Sequence, residues 1–262
     1  MDTVLVIPII NVLQSLPAEG VSCVLFAICV IAMLTLLRLF GVNGLYIYNI
    51  VAILAANIQV LRGVQFSLST EPVALGTVVF STTYLCSDIL TEHYGKEIAK
   101  RGVWLCFAAQ LLMTLLMVVA VGYPPLPSGP LGNGNRESLH LTEQAMLLLF
   151  TPSPRLLFAS LLAFVVSQLT DIWLFQTLRR LTEQRWLWFR TTFSAIIATV
   201  VDTCLFSLLA WRILAPVPVS FSVLIFTYIL GTLLTRVFMS LLSSPVIYMS
   251  YLSKPLRPLY VR

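Results

Sequence analysis

Long apolar runs separated by short polar breaks fill this chain, and the runs have the length of membrane crossings. They fall at about 21–40, 45–61, 72–90, 102–122, from Pro154 to Arg179-Arg180, 189–211 and 221–244. Each approaches or exceeds the ~20 apolar residues that a helix needs to cross ~30 Å of hydrocarbon. The breaks carry turn and capping chemistry: Gly41-Val42-Asn43-Gly44, Ser153 as N-cap before Pro154, Ala215-Pro216-Val217-Pro218, and Pro245 as a stop. Residues 3–16 are apolar but short and contain Pro8 and Asn11, which suits an interfacial or re-entrant segment. The stretch 123–142, rich in Pro, Gly and Asn, is expected to be a loop. The pattern predicts an all-α, polytopic transmembrane helical bundle of about seven spans. The ~10-residue alternating segments of a membrane β-barrel are missing from the sequence.

Composition agrees with that class: 58% of residues are hydrophobic and 10% charged, against about 25% charged in soluble domains. The net charge of +5 sits mostly in short loops. It sets orientation rather than pointing to nucleic acid as a partner. Basic residues cluster at Lys96, Lys100 and Arg101, at Arg179, Arg180, Arg185 and Arg190, and at Lys254, Arg257 and Arg262. Two spans separate each cluster from the next, so all three can face the cytoplasm, with the N-terminus and the 123–154 stretch outside. Five cysteines in apolar runs lack metal-ligand spacing and read as packing residues.

Polar residues inside the spans carry the candidate chemistry. Thr77, Ser81, Tyr84, Asp88 and Glu92 share one side of the third span. The fifth, sixth and seventh spans bury Asp171, Asp202 and Arg236, and Asn49, Asn57 and Gln168 add amides. At ~1.5 Å per residue, Asp88 and Asp171 come out ~24 Å and Arg236 ~22 Å below the outer face. Asp202 comes out ~18 Å above the inner face by the same count, nearer the midplane. Depth therefore pairs Arg236 with Asp88 or Asp171 rather than Asp202. An excess carboxylate in such a layer must take up a proton, a cation or a hydrogen-bond-donating ligand, which marks a ligand pathway. The stripes Ser194–Ala198–Asp202 and Gly231–Thr235 read as close helix packing. His93 and His140 read as solvated or interfacial. The sequence holds no phosphate-binding Gly-x-x-x-x-Gly-Lys-Ser/Thr loop, no Gly-x-Ser-x-Gly and no His-Glu-x-x-His, so no enzymatic activity, cofactor or metal site is expected.

Four blocks carry a resemblance. They are Phe80 to Lys96; Ser167-Gln168-Leu169-Thr170-Asp171 through Phe175 to Leu178-Arg179; Trp186 to Thr191 with Ser194 and Asp202 to Phe206; and Arg236 with Pro245-Val246-Ile247-Tyr248. Asn57 with Arg62 extends the match. Over about residues 45–250 the sequence resembles the queuosine precursor transporter family, also described as vitamin uptake transporters. Ser81 departs from an expected proline, and Arg62 and Arg236 stand where lysine is more usual. The resemblance implies import of queuosine precursors (deazaguanine bases or queuine) across a bacterial cytoplasmic membrane by a secondary transporter or facilitator. The alternative is a substrate-capturing subunit of a modular ATP-driven uptake system, with Ala52-x-x-x-Ala56 as a docking face.

The substrate-binding candidates are Asn57, Tyr84, Asp88, Glu92, Gln168, Asp171, Arg190, Ser194, Asp202 and Arg236. A carboxylate suits the donor edge of a guanine-like base, Gln168, Asn57 or Arg236 its carbonyl, and Tyr84 or Trp173 its flat ring. The expected partners are a purine-like small molecule and the lipid membrane, with a homodimer left open. Residues 1–44 form an N-terminal extension with one extra span, and 45–262 a six-span core.

Overall fold

The structure, a computed structural model, describes residues 3–66, 73–124, 133–150, 154–215, 217–223, 225 and 231–253. The expected Ser153 cap, Pro216 and the basic residues of the tail lie outside them. Along the chain run α1 (Thr3–Gln14), α2 (Ala18–Phe40), α3 (Val42–Gln59), a two-stranded β1 (Gly63–Val64) and β2 (Val73–Ala74), then α4 (Thr77–Tyr94) and α5 (Lys96–Val121). There follow α6 (Asn133–Phe150), α7 (Pro154–Leu181), α8 (Leu187–Leu208), a single turn α9 (Phe221–Val223) and α10 (Gly231–Leu252). The molecule is an all-α membrane bundle. Among the described residues, five helices are long and apolar enough to cross a bilayer: α2, α3, α5, α7 and α8 with its π-turn to Ile213. α4 and α10, of 18 and 22 residues, bring the spans to seven.

α4 is the axis of the bundle. Fourteen of its eighteen residues are buried, and it packs against α2, α3, α5, α7, α8 and α10. Its polar residues are tolerated because neighbouring helices, not lipid, surround them. Opposite in character is α5, which turns Leu111, Leu112, Leu115, Leu116 and Val119 outward, as a lipid-facing wall does. Two tight backbone approaches hold α2, α3 and α4 together. A Cβ on Gly44 would sit 2.0 Å from the Leu36 carbonyl oxygen, and one on Gly76 would sit 2.4 Å from that of Ala56. Ala52 and Ala56 are buried in this packing, so they are not a free docking face for an ATPase module.

Several boundaries differ from the sequence expectation. Only Gly41, at φ 59°, interrupts the chain between α2 and α3, and helix resumes at Val42. The stretch after Tyr123 is not loop throughout: α6 starts at Asn133, because the Leu- and Met-rich 139–150 segment supplies an apolar helix that the preceding Gly and Asn do not prevent. α4 starts at Thr77, after the β1–β2 pair, and passes Ser81 unbroken, with the Ser81 hydroxyl donating to the Thr77 carbonyl. α10 runs through Pro245 to Leu252. Ser243 and Ser244 hydroxyls bond the Met239 and Ser240 carbonyls beside the gap that proline leaves in the ladder, which is how such a break is accommodated within a bundle.

Candidate functional site

Residues 80, 84, 88 and 92 recur at one-turn intervals on α4, so a ladder of functional groups extends ~18 Å along its axis. Three tiers of partners from α7, α8 and α10 meet it.

At the end where α4 starts, Arg236 Nη1 donates to Asp202 Oδ2 at 2.5 Å and to Thr203 Oγ1 at 3.3 Å. The guanidinium lies 5.3 Å from the centre of the Phe80 ring, and its Nε has no partner. The Ser167 hydroxyl lies 3.1 Å from the Phe164 carbonyl and 3.3 Å from the other Asp202 oxygen, sharing its proton between them, and accepts from the Tyr84 hydroxyl at 3.1 Å. Asp202 and Arg236 also line a cavity of about 300 Å³, the size range of small-molecule sites. Its walls come from the same ends of α3 to α8 and α10, with Phe80 and Phe206 among the apolar lining and Asn57, Gln110 and Thr114 among the polar. Asn57 donates to Gln110 Oε1 at 2.9 Å, which leaves the buried Gln110 Nε2 unpartnered.

One turn further along α4 lies the middle tier. Asp88 and Asp171 are 1% and 0% exposed and lie within electrostatic reach of each other. None of their four carboxylate oxygens accepts a hydrogen bond. Ser194 of α8 stands beside both, with its hydroxyl turned back to the Thr191 carbonyl at a long 3.4 Å. Gln168 spends both ends of its amide on α4: it accepts from Ser87 at 2.7 Å and donates to Thr83 at 2.9 Å. Its contribution here is to tie α7 to α4. Asn49, also fully buried, has neither amide atom bonded.

The third tier closes the other end. Glu92 receives Arg190 Nη2 on both oxygens at 3.2 Å and the Tyr251 hydroxyl at 2.7 Å, with Arg179 Nε 3.7 Å away. Arg190 is 1% exposed, packs over Phe175 at 5.2 Å, and keeps Nε and Nη1 unpartnered. His93 bonds Ser250 at 2.8 Å and packs against the Tyr251 ring.

Two expectations are corrected. Arg236 pairs with Asp202, not with Asp88 or Asp171. Counting from Arg190 placed Asp202 too low, because Arg190 is itself buried in the third tier rather than at the inner face. Arg236 sits level with Asp202 at the cavity, nearer the start of α4 than the count from Phe221 placed it. Trp173 is 63% exposed and cannot stack on anything held inside the bundle. Of the ten candidates, Asn57, Asp202 and Arg236 line the cavity, with Tyr84 bonded just behind it. Asp88, Gln168, Asp171 and Ser194 form the middle tier, and Glu92 and Arg190 the third. The sequence reading did not select Ser167, Gln110, Phe80, Arg179 or Tyr251. Gln110 was legible as the one amide of an apolar span, whereas the others are ordinary helix residues until the partners arrive.

Comparison with known proteins bears on the whole arrangement. No solved structure matches the chain. A Bacillus subtilis (strain 168) protein described as "Probable queuosine precursor transporter" is 30% identical over 211 residues, covering 80% of this chain and 84% of its own length. The family model described as "Putative vitamin uptake transporter" matches residues 74–250, a span that takes in the whole α4 ladder and the Asp171, Arg190, Asp202 and Arg236 that meet it. On that match this multi-pass membrane protein belongs to the vitamin uptake transporter family.

Proposed function

We propose that this protein imports a queuosine precursor, a deazaguanine base or queuine, across the bacterial cytoplasmic membrane as a secondary transporter or facilitator, with no enzymatic step. The observation that carries the reading is the Asp202–Arg236 pair at the wall of an otherwise mainly apolar cavity. A guanine-like edge presents a ring N–H, an exocyclic amino group and a carbonyl. Asp202 retains lone pairs for the two donors, and the unpartnered Arg236 Nε suits the carbonyl. Phe80 and Phe206 supply flat apolar surface for the ring. Residues 45–262 hold every group named, and the extra span within 1–44 braces them through Met33 and Leu37.

The basic clusters put the N-terminus outside and the tail in the cytoplasm, so the cavity faces outward and the Glu92–Arg190–Arg179–Tyr251 cluster closes the inner end. Import then requires that inner cluster to part while the cavity mouth closes. The modular ATP-driven alternative loses its docking face to the α3–α4 contact. The test is uptake of tritiated queuine and tritiated deazaguanine bases by cells that lack their own uptake and make this chain alone. Accumulation that disappears in Arg236→Gln and in Asp202→Asn is expected. Failure of the wild-type chain to move any of these bases overturns the reading.

A further inference from the structure

We infer that Asp88 and Asp171 share a transportable proton and couple import to proton entry. This rests on the import reading above and names its driving ion.

Charge counting across the three tiers leads there. Asp202, Asp88, Asp171 and Glu92 are four acids; Arg236, Arg190 and Arg179 are three guanidiniums, each directed at Asp202 or Glu92. One negative charge is left over, and it falls on the two carboxylates that have no hydrogen bond. An unpaired charge this deep costs several kcal/mol, and a single proton removes it. Two carboxylates within electrostatic reach of each other titrate as a pair and can hold that proton jointly.

The other groups around the pair do not change the count. α4 contributes Tyr84, Glu92 and His93; α7 contributes Arg179; α8 contributes Arg190 and Asp202; α10 contributes Arg236 and Tyr251. Cys29 of α2, Tyr48 of α3 and Cys106 of α5 lie instead against Thr82 and Cys86. A sodium ion fits less well. Transporter sodium sites draw on unwound backbone carbonyls, whereas α4, α7 and α8 are continuous helix through Asp88, Asp171 and Ser194.

The surroundings also supply a route. From the cavity, Asp202, Ser167 and Tyr84 form a hydrogen-bonded chain with steps of 3.3 and 3.1 Å that ends one turn from Asp88; its hydroxyls donate toward Asp202, so both turn over as a proton passes inward. One turn beyond Asp88 stands Glu92, bonded to the partly exposed Tyr251. A proton leaves external water, passes to the pair, and leaves through Glu92 to cytoplasmic water. Each carboxylate ends the cycle as it began.

Two measurements test this. In the first, the purified protein in lipid is studied by infrared spectroscopy without substrate. The wild type should show a protonated-carboxyl band that Asp171→Asn and Asp88→Asn each remove or shift; a spectrum without one overturns the inference, whatever the protein transports. In the second, proteoliposomes enclosing a pH dye are given tritiated queuine or deazaguanine bases. Substrate entry should acidify the lumen, and an inward proton gradient of one pH unit should sustain up to about tenfold accumulation. Asp171→Asn should lose that accumulation while still exchanging labelled for unlabelled base. Uptake without acidification, uptake driven by sodium, a variant that keeps proton-driven accumulation, or one that loses exchange as well, each overturns it. Wild-type liposomes that take up none of the bases contradict the import reading instead, and the infrared result still decides the proton.

Discussion

Arg236 Nη1 and Asp202 Oδ2 are 2.5 Å apart, across two antiparallel spans and at the edge of the cavity of about 300 Å³. Arg236 is 21% exposed in its side chain and Asp202 8%, so the pair is only partly dry. That is the position of a charged pair that a polar ligand can reach.

Removing one member strands the other. Arg236→Gln or Asp202→Asn should each cost ~3–5 kcal/mol of stability and abolish uptake. The double variant should recover expression, since uncharged replacements of similar volume are often neutral, but not uptake. Western blots of membranes beside uptake assays separate the two. Recovered uptake in the double variant would reduce the pair to a packing device.

Glu92 takes two guanidiniums and a phenol. Glu92→Gln should leave the buried Arg190 charge without its counterion and loosen the end of the bundle where α4 stops. Increased cysteine labelling at position 251 in a Tyr251→Cys background would report the loosening. Unchanged labelling would show that this cluster does not hold the end shut.

Phe80 flanks both the cavity and the Arg236 guanidinium. Phe80→Leu should raise the half-saturating concentration of base about two- to tenfold, as loss of an aromatic contact worth ~0.5–1.5 kcal/mol allows. An unchanged value removes Phe80 from the binding surface.

The orientation is open to single-cysteine labelling in a cysteine-free background. Impermeant reagent added outside should reach position 133, at the start of α6, but not position 183 between α7 and α8. The reverse pattern would turn the cavity toward the cytoplasm.

Gly44→Ala should destabilise strongly, because its Cβ would land 2.0 Å from the Leu36 carbonyl and backbone cannot swing aside as a side-chain tip can. A drop in melting temperature of the detergent-solubilised protein is the readout. Gly95→Ala meets no atom within 4 Å, so its cost should come only from φ 91°.

Apolar run length alone determined the class and number of spans, because lipid admits only helices or closed barrels and each helix must reach across it. The acids, the arginine and the one-turn ladder of α4 were equally legible, since an ionisable residue inside an apolar run has no cheap lipid-facing position. Partnership was not. Straight-helix counting fails when a reference residue such as Arg190 is itself drawn into the bundle. Tertiary structure decided that Arg236 answers Asp202 and that Arg190 and Arg179 answer Glu92. It also left Asp88 and Asp171 within electrostatic reach of each other without a cationic partner of their own, because pairing depends on which residues the crossing helices bring to one depth, and no single helix's sequence encodes that.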